Sequence, residues 1–339
     1  MTATKMPKFI LLKGSGHGLA NLLFVLSTAI SLSKKTGAKL VIDWENTAYG
    51  FGFWDLFTLI DSESFIETDL KIDSLNGLKS SQFAWEGQYQ ASVRDIYKQV
   101  SGKGEFAGLD LEAIPPMSGL KTYFEGQPQK DVLVLCGYHK IGQSPSELLK
   151  HLRLTKKWSD RLMAEIHTLP DTLRNGSYVG LHVRAAAGET FAQLRKKPLA
   201  QYLRKHPHLQ LFLATDLASV EDELRSDFGS RMLEIPRTYA TTPTSNTIEP
   251  LALHGIRDEE LVHSGRLFHE AVRDIWLLSR SHTLYAQPRS TFSELATLFS
   301  SFPPWRLKLC GKSSLKYRLG AFYRSAQKYR AGQSSLLQE

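Results

Sequence analysis

Three short runs of this sequence place charged and hydroxyl side chains where buried strands would end. His182 and Arg184 stand in HVRAAAGE, which closes on Glu189; Thr215 and Asp216 close LFLATD; Thr291, Phe292, Ser293 and Glu294 lie in QPRSTFSE. A guanidinium suits bidentate contact with phosphate oxygens. The T-x-x-E spacing from Thr291 to Glu294 predicts a capping box, so a helix opens there. Its first turn offers backbone N–H groups and the positive end of the helix dipole, and Ser293 adds a hydroxyl. Singly, each residue has a plainer reading: Arg184 as a surface ion-pair partner, Asp216 as an N-cap, His182 as a core histidine. Together, at one edge of one sheet, they read as a site for a nucleotide diphosphate.

The elements that must position them follow from apolar patterning. Residues 178–183, 209–214, 231–235 and 283–286 read as strands; 191–205, 218–226 and 265–279 read as helices, with a last one from 292. This alternation predicts a parallel sheet covered on both faces, whose ligands lie beyond the carboxyl ends of the strands. The first half opens with a strand at 8–12, the turn GSGHGLA with Gly16, His17 and Gly18, a helix with Leu19, Leu22, Leu23, Leu26 and Ile30 on one stripe, and a strand at 38–43. Gly37 is the expected C-cap of that helix. Residues 131–137 read as another strand and 154–169 as a helix, while 44–130 show no sustained period.

Several function classes lose support. A dinucleotide fingerprint requires a third glycine at position 19, which is Leu19, although Asp43 stands where a ribose-binding acid would. Neither a phosphate-binding G-x-x-x-x-G-K-[ST] loop nor a D-x-D pair after a strand occurs, so no metal is expected. Cys136 and Cys310 are the two cysteines, without zinc or disulfide spacing, which fits a reducing, cytoplasmic setting. The N-terminal FILL is too short for a signal-peptide core. The formal charge of +8 is concentrated after Phe302, where eight basic residues from Arg306 to Arg330 meet no acidic one before Leu337. That segment reads as a basic amphipathic tail, either a solvated helix or a peripheral contact with an anionic inner-membrane surface. Nucleic acid is the less favoured partner because the remainder of the chain is almost neutral.

The runs KGSGHGLANLLFVLSTAISLSKKTGAKLVIDW, YVGLHVRAAAGE, LFLATD with IPR after it, and VRDIWLLSRSHTLYAQPRSTFSELA resemble segments of the rhizobial nodulation fucosyltransferases. They are more distantly similar to animal α-1,6-fucosyltransferases. The resemblance covers residues 8–45 and 176–300, about half the chain. It implies an α/β protein of GT-B architecture, two Rossmann-like domains facing a central cleft. Residues 1–150 would form the acceptor-side domain, 151–302 the GDP-sugar domain, and 303–339 the basic tail. By position, His182, Asp216 and Asp274 would lie at the nucleotide and Thr291, Phe292 and Ser293 at its phosphates. Arg184 would meet the β-phosphate and Glu189 would be the general base. Gly16, His17, Gly18 and Asn21 would line the acceptor side. The implied reaction is a metal-independent, inverting transfer of fucose from GDP-fucose to a glycan hydroxyl. Relatives place a second basic residue after the arginine, whereas this chain has Ala185. A non-catalytic nucleotide-sugar or glycan binder of the same fold, or a transferase using another GDP-hexose, therefore stays open.

Overall fold

The computed structural model describes residues 6–14, 18–44, 47, 49–80, 85–93, 95, 96, 99, 131–136, 146–184, 196–239, 265–288, 290–300, 302–310, 319, 320 and 322. Gly16, His17, Glu189, residues 191–195 and most of the basic tail lie outside them. The chain divides into two compact units, Met1–Thr155 and Lys156–Glu339. Among the described residues no helix is long and apolar enough to cross a membrane.

The first unit begins with β1 (Phe9–Lys13), α1 (Leu19–Thr36) and β2 (Lys39–Asp43), followed by α2 (Phe53–Leu56), β3 (Phe57–Leu59), β4 (Val132–Leu135), α3 (Ser146–His151) and β5 (Leu152–Leu154). Strands β2, β1 and β4 form a parallel sheet in that order, and β3 pairs with β5 antiparallel. Helix α1 ends where Gly37 adopts φ 74° and donates its N–H to the Ser33 carbonyl at 2.9 Å. The single apolar stripe expected of α1 is an understatement, because Asn21, Ser27, Thr28 and Ser33 are buried too. Thr28 satisfies its hydroxyl on the carbonyl of Phe24, which lets the helix sit inside the unit.

The second unit contains α4 (Lys156–Thr168), α5 (Asp171–Arg174), β6 (Tyr178–Val183), α6 (Lys196–Lys205), β7 (Gln210–Thr215), α7 (Ala218–Phe228), α8 (Arg266–Arg280), β8 (Thr283–Ala286), α9 (Thr291–Phe299) and β9 (Leu307–Leu309). Its sheet runs β7-β6-β8-β9, all parallel. Side chains alternate across a strand. Val179, Leu181 and Val183 pack with Leu199, Leu203, Val220 and Leu224 on one face. Tyr178 packs with Leu277, Leu278 and Ala296 on the other. His182 therefore points to the face covered by α8 and α9.

Two expectations are corrected. Residues 231–235 are not a strand: only Met232 forms a bridge, to Leu211. Arg231 turns its guanidinium onto the carbonyls of Leu203, His206 and Leu209, which fastens the segment beside the single backbone bond from Leu233 N–H to the Leu211 carbonyl at 2.8 Å. The basic segment after Phe302 does not begin as a free tail, since Leu307–Leu309 adds a parallel edge strand beside β8. Lys308 points outward there, as an edge strand favours.

Candidate functional site

Strand β6 ends at Val183, and Arg184 is the first residue beyond it. Its peptide is held by one side chain. The Gln287 carboxamide accepts from the Arg184 N–H through Oε1 and donates to the Arg184 carbonyl through Nε2 at 3.2 Å. Gln287 is itself the first residue beyond β8, so the two strand ends are locked together at the edge where parallel sheets bind ligands.

His182 and Ser293 build the floor of this edge. His182 Nδ1 lies 2.7 Å from Ser293 Oγ, and the same Oγ accepts the Gln287 N–H at 3.1 Å. A serine hydroxyl has one hydrogen, so the arrangement that uses it donates to Nδ1 and leaves the ring proton on Nε2. The His182 ring lies tilted over Phe292, with centroids 4.9 Å apart. Burial first, then the Arg184 charge, push its pKa down to about 3, which keeps the imidazole neutral at neutral pH.

The start of α9 differs from the expected capping box. Ser290, one residue before Thr291, is the N-cap and accepts from the Ser293 N–H at 3.5 Å. The Ser293 hydroxyl, expected to face a phosphate, is instead buried and occupied by His182 and Gln287. What the helix start does offer is backbone: among the described residues, the N–H groups of Thr291 and Phe292 meet no protein acceptor. With the helix dipole and Arg184 on the neighbouring strand end, that is a setting for anionic oxygens.

Asp216 follows β7 directly at the same edge. Asp274 is placed differently, within α8, where its carboxylate accepts from Arg237 at 3.0 Å and from Arg273 at 3.1 and 3.2 Å. Arg273 also reaches Glu165 at 3.0 Å, and His269 pairs with the other Glu165 oxygen. The His269 hydrogen bond, followed by Arg273, holds the Glu165 carboxyl down at about 2 against the opposing effect of burial. Arg237 extends to the carbonyl of Leu213, near the end of β7, so this ion network braces the strand end from beneath. Gln287, Ser290 and Arg237 were not among the residues singled out from the sequence. Gln287 and Ser290 had a signal, since both fall in the run immediately after a buried strand.

The first unit contrasts with this. Its corresponding helix start, after Gly18, is closed by protein: Leu19 N–H donates to Tyr49 Oη at 2.7 Å. Gly14 cannot carry a side chain, since a Cβ would lie 2.7 Å from Thr47 Cγ2 and 2.8 Å from Trp44 Cα. Asp43 is buried against Lys13, whose ammonium also donates to the Tyr89 carbonyl at 2.9 Å, so no ribose-binding carboxylate is on offer. Asn21 is buried in the first turns of α1, and among the described residues its carboxamide has no hydrogen-bond partner.

Solved structures share this architecture. A NodZ α-1,6-fucosyltransferase soaked with GDP-fucose superimposes with a TM-score of 0.56 at 19% identity, over 87% of this chain and 94% of the other. The fold is that of the NodZ fucosyltransferases. A fucosyltransferase NodZ from Bradyrhizobium gives 0.54 at 19% identity, over 88% and 94%, and NodZ co-crystallized with GDP gives 0.53 at the same identity and coverage. No protein-family model and no curated protein sequence matches the chain. The NodZ likeness thus extends along nearly the whole chain while sequence identity stays low, which is the pattern expected when fold outlasts sequence.

Proposed function

We propose that this chain is a glycosyltransferase of GT-B type that moves fucose from GDP-fucose to a glycan hydroxyl, with inversion and without a metal. The observation that carries this reading is the strand-end lock in the second unit: Gln287 fixes Arg184 beside a helix start whose first two N–H groups meet no acceptor among the described residues. In the transfer, the acceptor oxygen bonds to the anomeric carbon as the bond from that carbon to the GDP oxygen breaks. Negative charge then grows on the diphosphate, where Arg184 and the Thr291 and Phe292 N–H groups are suited to receive it. Glu189 takes the acceptor proton as general base. His182 stays neutral and positions α9 through Ser293 without adding a second positive charge. The GDP-fucose named in the NodZ comparison supports the choice of donor.

The test is binding and hydrolysis of GDP-fucose, GDP-mannose and UDP-glucose by the wild-type chain, Arg184→Ala and Glu189→Ala. Selective GDP-fucose binding that disappears in Arg184→Ala, with slow GDP release that disappears in Glu189→Ala, is the expected result. Binding without release would favour the non-catalytic binder of the same fold. Absence of binding to any GDP-sugar removes the proposal.

A further inference from the structure

The opposite edge of the same sheet carries a second feature that the transfer reaction does not use. All four strands of the second unit enter the sheet there, and each is preceded directly by a pocket residue: Ser177 before β6, Leu209 before β7, His282 before β8 and Arg306 before β9. The pocket has a volume of about 290 Å³. The seven residue steps from Ser177 to Arg184, at the rise of a strand, separate it from the Arg184 edge by roughly 20 Å.

Its chemistry is one-signed. Asn175, Ser177, His208, Arg280, Ser281, His282 and Arg306 supply the polar lining, and among the described residues none that lines the pocket is acidic. Among the described residues neither Arg280 nor Arg306 has a carboxylate partner; Arg280 only stacks over Trp276, 5.4 Å from the ring centroid. Among the described residues of this unit, Arg174, Arg225, Arg237, Arg266 and Arg273 by contrast each meet a carboxylate. The His206 ring lies 6.1 Å from that of His208 and 6.3 Å from that of His282, so the imidazoles are gathered and not scattered. Tyr202 fixes the back of this group, its Oη 2.8 Å from Thr283 Oγ1 and 3.4 Å from His282 Nδ1.

We infer that this strand-start pocket binds a phosphate group, as a second anion site separate from the Arg184 edge. Two guanidiniums, two imidazoles, hydroxyls and a carboxamide line the pocket from the starts of the strands and from the ends of α5 and α8. Donors approaching from several sides suit a tetrahedral oxyanion better than a planar carboxylate, whose oxygens are met in one plane. The bound charge also offsets the positive charge of the two arginines. The same chemistry is presented by a soluble phosphate monoester and by a phospholipid headgroup. Trp305, 63% exposed beside Arg306, gives the second source a side chain suited to a membrane interface.

The experiment uses the full chain and inorganic phosphate, followed by calorimetry and by the imidazole NMR signals. Phosphate at up to ~20 mM, the range that detects millimolar affinity, is expected to shift the His208 and His282 signals, with acetate far weaker. Binding is expected to fall at least ~10-fold in Arg280→Gln/Arg306→Gln and to persist in Arg184→Ala and in the presence of GDP. Unmoved histidine signals in the wild-type chain overturn the inference without recourse to any variant, and so does wild-type affinity in a folded double variant. Vesicles containing phosphatidate distinguish the sources. Capture that depends on Arg280 and Arg306 assigns the headgroup, and phosphate binding without such capture assigns a soluble ligand. None of these outcomes depends on GDP-fucose turnover.

Discussion

Gln287 grips the peptide of Arg184 at both ends, accepting from its N–H and donating to its carbonyl at 3.2 Å, although 103 residues separate them. A glutamate at position 287 keeps an acceptor but loses the donor, and sets negative charge beside the proposed phosphate position. Gln287→Glu is therefore expected to weaken GDP affinity by ~10-fold or more, with a stability loss of about 1–3 kcal/mol for the carbonyl left unpaired. Calorimetry with GDP beside thermal unfolding separates the two effects. Equal GDP affinity in wild type and variant contradicts a positioning role.

In the proposed transfer Arg184 acts on developing charge. Its removal is expected to lower kcat/KM for GDP-fucose turnover by ~10²–10³-fold, the size seen when a preorganised oxyanion contact is lost. Arg184→Lys restores the charge without the planar fork and should recover only part of it. Steady-state kinetics with all three proteins checks the order.

Legibility of the fold in the sequence followed burial. Strands β6 and β8 occupy the residues anticipated, Tyr178–Val183 and Thr283–Ala286, because a strand buried on both faces is an unbroken apolar run with sharp ends. The run RMLEI has the same look, but only Met232 bridges to Leu211, while Arg231 spends its guanidinium on carbonyls of the neighbouring loop. Leu307–Leu309 was hidden by its charged neighbours; an edge strand with Lys308 turned to solvent has the composition of a tail. At the site, a place just before or after a strand end made His182 and Arg184 visible and the family resemblance marked Asp274, whereas Gln287 was marked by position alone. The pairing of Asp274 with Arg237, 37 residues away, and of Arg273 with Glu165, 108 away, has no signature in local spacing.

His182 gives the folded state a pH dependence of known sign. Its pKa falls from an ordinary 6.5 to about 3 in the native chain, so between these values the unfolded chain binds a proton that the folded chain refuses. Stability from this group is complete above pH 6.5 and declines as pH falls toward 3, by up to about 1.4 kcal/mol per pH unit. Urea unfolding at successive pH values should show a shallower acid slope in His182→Gln than in wild type. Identical slopes contradict a buried neutral imidazole.

The two helix starts make a further contrast testable. Tyr49 closes α1 through the Leu19 N–H, whereas α9 leaves Thr291 and Phe292 N–H groups without a protein acceptor among the described residues. Tyr49→Phe should cost about 1 kcal/mol of stability, the net worth of one hydrogen bond, and leave GDP affinity unchanged. A loss of GDP binding in this variant would move the nucleotide to the first unit.

Asp274 separates a nucleotide contact from a brace. Its two oxygens already accept from Arg237 and Arg273, and the Arg237 side chain is only 5% exposed. Asparagine in its place keeps the shape but removes the carboxylate nearest Arg237 and leaves Arg273 with Glu165 alone; removing one member of a buried pair costs about 3–5 kcal/mol. Asp274→Asn is thus expected to lower the unfolding midpoint sharply. In the fraction that remains folded, GDP affinity should stay within ~3-fold of wild type, because the carboxylate acts on the end of β7 through Arg237 and not on the ligand. The reverse pattern, normal stability with lost GDP binding, would place the carboxylate at the nucleotide after all and require Arg237 to find its counter-charge elsewhere.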